Sequence, residues 1–359
     1  MATGVANALR QFRKLQIGKE VTYGTEAAAT RILRIIDLNW ADQGNLRTYT
    51  PDYSIGRLTR RTDVPTVTRT GLIGSSYGTD FSFEDILFPL LAGFKGAVTA
   101  GAELTVGQND RPWVFQLDPN TGDPTPDSYS MERRVSNGAT NWDRTALGVI
   151  VESFEISADQ GGDVTKLTVY FWSRAPNSNA IASLSLPTPF TPLSALGWKL
   201  YINDTWAAMD VAGSAPSRGG GTLVATTMKS FTLRYFTGLV PALFIGDGRT
   251  DPSKHRYLPR GAELEMSVEY NAAVDAERVF AAAGTKRYVR LLGEGPQIGT
   301  GFNKTFKFQF AGVYPDGGFG SIGSESDGAE TISLKLESLP DDDTEDVECE
   351  VISTLAAFP

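Results

Sequence analysis

The stretch 147–172, LGVIVESFEISADQGGDVTKLTVYFW, decides the fold class because it reads as two strands joined by a turn. Val149, Val151 and Ser153 alternate with Ile150, Glu152 and Phe154. Val164, Leu167, Val169 and Phe171 make the return strand β-branched and aromatic. Between them, Asp159-Gln160-Gly161-Gly162-Asp163 supplies the turn, with glycine expected to take positive φ. Pro112-Trp113-Val114-Phe115 upstream and Ser173-Arg174-Ala175-Pro176 downstream bound it. The 37 glycines and 19 prolines, with many Ser and Thr, favour short strands and frequent turns over long helices. The expected class is mainly β.

A chain of 359 residues suits two domains. The best boundary lies in 177–196, where Pro187, Pro189 and Pro192 resist a central strand. This divides the chain into a flexible arm 1–13, a first β unit 14–186, a proline-rich linker 187–196 and a second β unit 197–359. The run GSAPSRGGG at 213–221 reads as an exposed loop. Two strand-then-helix passages hint at a duplication. In the first, Ser82 and Asp85 form a capping box ahead of Ile86, Leu87, Phe88, Leu90 and Leu91. Apolar residues on every side require burial, Pro89 should kink the helix, and Gly93 should end it. In the second, Asn271 caps a helix whose Ala276, Val279, Phe280 and Ala283 form one apolar stripe, with Gly284 after its end. The order of the other elements differs between the halves, so the repeat is weak at this level.

The 33 Lys and Arg against 42 Asp and Glu give a net charge of -9, which disfavours adhesion to phosphate polymers or anionic membranes. A single cysteine, Cys349, excludes an internal disulfide, and a single histidine, His255, sits in the polar DPSKHRYLP. Neither has the partners that a triad or a multi-cysteine zinc site needs. The run Gly293-Glu-Gly295-Pro-Gln-Ile-Gly299-Thr-Gly301 lacks the following helix of a phosphate cradle, and Asp341-Asp-Asp-Thr-Glu-Asp346 lacks the spacing of a calcium loop. No catalytic residue, cofactor or metal is expected. No apolar run approaches the ~20 residues of a membrane span, and the N-terminal residues show no signal-peptide core.

Strand alternation places Glu263, Glu265, Ser267 and Glu269 on one face and Leu264, Met266, Val268 and Tyr270 on the other. Asp346, Glu348 and Glu350 repeat the pattern against Val347, Cys349 and Val351. Carboxylates two residues apart repel one another, so such a face calls for water, either as an outer surface or as the wall of an aqueous channel. The polar segment 39–80 reads as a long loop with a strand over 66–73, and it carries Arg47, Arg57, Arg60, Arg61 and Arg69. These cations read either as a solvated surface or as a contact with an acidic face on a neighbouring subunit.

Taken together, Ile17-Gly-Lys-Glu-Val-Thr-Tyr-Gly-Thr25, the strand-helix at 81–93, Trp113-Val-Phe115, Pro126-Asp-Ser-Tyr-Ser-Met131, the 147–172 hairpin and the closing 347–359 strand resemble the major tail tube proteins of long-tailed, siphovirus-type bacteriophages. None of these motifs is a catalytic signature. The resemblance implies a β-sandwich or partial barrel with flanking short helices, here two such units in tandem. It also implies a virion protein made in the host cytoplasm, without enzymatic activity, polymerising as stacked rings into a conduit that double-stranded DNA passes through without specific binding. Two units per chain imply three subunits for a pseudo-sixfold ring, with a hexamer as the other arrangement. A tape measure protein and a tail terminator are the partners the family implies; no membrane partner is expected. In this reading the two acidic faces line the lumen. The competing readings are a capsid or decoration β-protein, and a carbohydrate-active β-sandwich, whose enzyme form needs paired carboxylates ~5–9 Å apart across a cleft.

Overall fold

The computed structural model describes residues 13–41, 45–49, 64–69, 72–116, 125–136, 141–181, 190–205, 223–225, 228–242, 251–299, 301–324, 330–339 and 347–358. The fold is mainly β, built from antiparallel sheets with short helices and no barrel closure. The first half carries β1 (Arg13–Lys19), β2 (Arg31–Leu33), β3 (Asp37–Asn39), β4 (Asn45–Tyr49), β5 (Val64–Arg69), β6 (Leu72–Asp80), β7 (Arg111–Gln116), β8 (Tyr129–Ser136), β9 (Asn141–Asp159) and β10 (Lys166–Ser173). The second half carries β11 (Trp198–Asn203), β12 (Leu223–Ala225), β13 (Met228–Phe236), β14 (Leu239–Ala242), β15 (Lys254–Tyr257), β16 (Gly261–Glu269), β17 (Arg287–Gly299), β18 (Phe302–Val313), β19 (Gly323–Ser324), β20 (Glu330–Ser338) and β21 (Val347–Ser353).

The two halves repeat one another in pairing. In the first, β1 pairs β2 and β8, β3 pairs β6, β6 pairs β10, β10 pairs β9, β9 pairs β8, and β4 with β5 forms a separate ribbon. In the second, β11 pairs β12 and β17, β13 pairs β16, β16 pairs β20, β20 pairs β18, β18 pairs β17, and β14 with β15 forms the ribbon. A helix follows β6 in one and β16 in the other. Within this shared scheme β7 and β21, which pair with one another, have no counterpart strand. The halves join edge to edge, β9 pairing β13 and β7 pairing β21. One sheet therefore runs β3-β6-β10-β9-β13-β16-β20 across both.

The 147–172 hairpin is the centre of that sheet, with β9 longer than expected at 19 residues. Its turn differs from expectation. Asp159 closes it, its side chain accepting from Gly161 N at 2.8 Å, while neither Gly161 nor Gly162 takes positive φ. The positive-φ glycine is Gly148, at φ 61, where the β8–β9 register shifts and β9 passes from one sheet into the other. A Cβ there would sit 2.9 Å from the Tyr23 ring.

Between the layers lies one aromatic core. Phe94 stacks on Tyr235 at 4.7 Å, Phe81 meets Phe306 at 5.2 Å, and Trp198 meets Phe231 at 4.8 Å. The first helix, α1 (Leu87–Pro89), continues as a π-turn over Leu90–Phe94, so Pro89 marks a change of winding, and Lys95 N donates to Leu90 O at 2.9 Å. Gly93 lies inside this turn rather than ending it. The Ser82 hydroxyl accepts from Asp85 N at 3.0 Å, while the Asp85 carboxylate turns away to Arg31 at 2.8 Å. The second helix, α2 (Ala272–Ala283), has the expected caps: Asn271 Oδ1 accepts from Ala273 N and Val274 N, and Gly284 takes φ 61. Its expected stripe does not face the core. Val274 and Glu277 are buried instead, and Val279 is 68% exposed.

The proline-rich 187–196 is only partly described. Pro192 bridges Ser82, and Leu193 is buried and exchanges backbone hydrogen bonds with Phe81 and Thr165. That end is stitched into the core rather than a free linker, because the missing N–H of proline is tolerated at a single-residue bridge. The segment 39–80 is likewise not one loop: it carries the β4–β5 ribbon and all of β6. Residues 1–12 and 213–221 lie outside the described residues.

Candidate functional site

The sheet that spans both halves has two unlike faces. Apolar residues of β16 (Leu264, Met266, Val268) point into the core, and those of β20 (Ile332, Leu334, Leu336) do the same beside them. The other face is open. One lateral row crosses it through Asp37, Gly78, Thr168, Glu155, Arg234, Glu263 and Glu337, each residue directly opposite the next on the neighbouring strand. The adjacent row runs Asp80, Lys166, Ser157, Thr232, Glu265 and Lys335. Period-two alternation on every strand keeps these side chains on one surface.

Glu263, Glu265 and Glu269 therefore share an open face. Glu265 is 49% exposed and Glu263 27%. Lys335 sits among the carboxylates, 2.8 Å from Glu337, 3.4 Å from Glu263 and 3.9 Å from Glu265. The hydrogen bond to Glu337, then the nearby charges, raise the Lys335 pKa. Arg234 donates to Glu155 at 2.8 Å, and that bond is the largest cause of its raised pKa, ahead of the fields of Glu263 and Glu265. Each cation is thus held charged by several carboxylates, and the face keeps an excess of negative charge.

The second acidic run behaves differently. Glu348 is partly buried and Glu350 is 1% exposed, so they do not form an open face. Lys307 on β18 lies opposite Glu350 and reaches both, at 3.0 Å to Glu348 and 3.1 Å to Glu350, while Gln309 donates to Glu348 at 2.7 Å. A buried cation offsets the repulsion that water was expected to relieve. It comes from a strand far back in the chain, so spacing along β21 gives no sign of it. Asp346 lies outside the described residues.

Arg57, Arg60 and Arg61 also lie outside the described residues, while Arg47 and Arg69 fall on β4 and β5, Arg47 opposite Thr66 and Arg69 opposite Asn45. The glycines 293–299 belong to β17, where Gly293 and Gly295 admit the side chains of Leu193, Trp198 and Phe83 at close range; this is packing and not a phosphate loop. His255 lies on β15, its Nε2 3.0 Å from the Tyr257 hydroxyl. Among the described residues no group of three or more His, Cys, Asp or Glu is arranged to hold a metal ion, and no helix is long and apolar enough to cross a membrane.

Sequence reading missed the partners of the acidic strand: Glu155, Arg234, Lys335 and Glu337. Their signal was present, since Ser333, Lys335 and Glu337 alternate with Ile332, Leu334 and Leu336, but the order of strands in the sheet was needed to bring them to Glu263. No protein-family model matches this sequence, and no curated protein matches it.

Proposed function

We propose that this chain is a tail tube protein of a long-tailed bacteriophage, a virion structural protein whose copies form rings that stack into a hollow conduit for the genome. The observation that carries this reading is the open face of one sheet that runs through both halves of the chain, where carboxylates outnumber cations, backed by an aromatic core. Turned towards an axis, such a face is a wetted wall. Duplex DNA carries one negative charge per ~1.7 Å of axis, and a wall offering several cationic contacts would hold it strongly at low salt. Carboxylates in excess keep the duplex off the wall. Three copies, each with two similar halves, place six related units around that axis. A tape measure protein within the tube and a terminator at its end complete the assembly.

Negative-stain microscopy of the purified full chain tests this directly. The expected image contains hollow tubes or stacked rings with a central stain-filled channel. Particles of monomer size at every concentration and salt condition would remove the reading in favour of a decoration protein.

A further inference from the structure

The pairing scheme that repeats between the halves also contains the contact by which one half takes up the next. In the first half, β9 pairs β10 on one side and offers 153–159 on the other, where β13 of the second half docks. The strand in the place of β10 is β20, flanked in turn by the chain that leaves β18. Lys335 N donates to Gly318 O at 2.6 Å, Gly320 N donates to Ser333 O at 2.8 Å, Phe319 bridges Leu334, and β19 pairs β20 at Gly323 and Ser324. The segment 318–324 therefore stands where the outer part of β9 stands. Its far edge meets no strand among the described residues, and Ser321 and Ile322 are exposed. At the opposite end of the same sheet, β3 occupies the place of β13 and pairs only β6 among the described residues.

The helices carry the same asymmetry. The second half covers the first helix: Phe94 packs on Tyr235 and Phe308, and a Cβ on Gly93 would come within 2.8 Å of Thr237. Among the described residues no third unit covers α2 in the same way, and its Ala276, Val279 and Ala283 are exposed. A groove of ≈ 480 Å³ lies beside it, between Ala281, Ala282 and the Tyr314–Ile322 chain.

We infer that copies of this chain join head to tail, β3 of one copy pairing with the open edge of 318–324 in the next, so that the first half of one copy covers α2 of the other. The occupant of both surfaces is a second copy, because the internal β9–β13 junction already shows this edge and this helix being covered by the same scheme. As an account of how rings close, this rests on the tube reading; as an account of which edges meet, it rests on the repeat alone. An open strand edge is a template for another strand, and a head-to-tail contact leaves a β3 edge free at one end and a 318–324 edge free at the other until a ring closes.

Cysteines introduced singly, Asn39→Cys and Ser321→Cys, test the contact, with Asn39→Cys and Ile322→Cys as a second pair so that a one-residue register shift does not decide the result. Cys349 is fully buried and stays in place. Each variant is expressed alone and the two are co-expressed, then oxidised with copper-phenanthroline and run on non-reducing gels. The expected result is a disulfide-linked dimer from co-expressed chains and none from either variant alone. Dimers from one variant alone would mean a two-fold contact and overturn the proposal, as would an assembled or a purely monomeric protein with no cross-link from either pair. Cross-linked rings that never stack would leave the edge contact standing and remove the tube.

Discussion

The two helices of this protein occupy equivalent places in a repeated scheme, yet one is sealed in the core and the other lies open. The passage Phe81–Phe94 is buried almost throughout, capped by Ser82 and tied by Asp85 to Arg31. Beneath it, Lys304 pairs with Glu84 although 220 residues separate them. Helix α2 is the better formed of the two by local criteria, with a two-bond Asn271 cap and a left-handed Gly284, and it is anchored by the buried Glu277–Arg287 pair at 2.6 Å. Its apolar stripe nonetheless faces outwards. Capping and propensity thus decide whether a helix forms, while its surroundings decide whether a stripe is core. Here the surroundings differ because the second half lies over the first helix, and no described residue plays that part for the second.

Truncating the sealed helix should give the largest effect. Phe94→Ala removes a fully buried ring from contact with Tyr235, Phe115 and Phe308 and should cost about 3–5 kcal/mol, read by urea unfolding. A cost below about 1 kcal/mol would mean that the halves do not share one core. The same class of change on the open helix should separate stability from association. Val279→Arg should move unfolding by no more than about 0.5 kcal/mol, since its side chain stands in solvent, while abolishing assembly in sedimentation velocity. Loss of both together would place Val279 in the core of the single chain.

The smallest expected effect concerns acid. Hydrogen bonds from Arg134 at 2.9 and 2.8 Å, and another from Ile181 N, lower the Asp143 pKa below its ordinary 3.8 against the opposing effect of burial. A depressed carboxyl pKa contributes stability that is present above the unfolded value and lost as pH falls through the folded one. Asp143→Asn should therefore lower the melting temperature at neutral pH, with the difference from the parent protein closing only as the pH drops below 3.8. A difference that persists unchanged at lower pH would assign the loss to packing rather than charge.

Much of this fold is legible where neighbours in sequence are neighbours in space. The 147–172 hairpin, both caps of α2 and the alternation of β16 all follow from local rules. Two expectations failed because the deciding residue is remote. Lys307 turned the carboxylates of β21 from a wetted face into a buried cluster, and the second half of the chain turned Gly93 from a helix end into a point of close approach to Thr237. The repeat was faint for a different reason. Strand pairings tolerate almost any residues that keep period two, so two halves share a scheme while sharing few side chains, and β7 interrupts the order of elements in one of them.

The β9–β13 junction has a consequence for the speed of assembly. Two half-chains meeting as separate molecules must find each other by diffusion and dock within a narrow range of orientations, which holds ordinary association to about 10⁵–10⁷ M⁻¹s⁻¹. Held on one chain, they meet at an effective concentration in the millimolar range, set by the tether and not by expression. In the ring proposed above, alternate junctions would be complete before the first encounter between molecules. Such an incomplete ring would have fewer ways to stall, since the Phe94 side of the first helix is already covered within each folded chain.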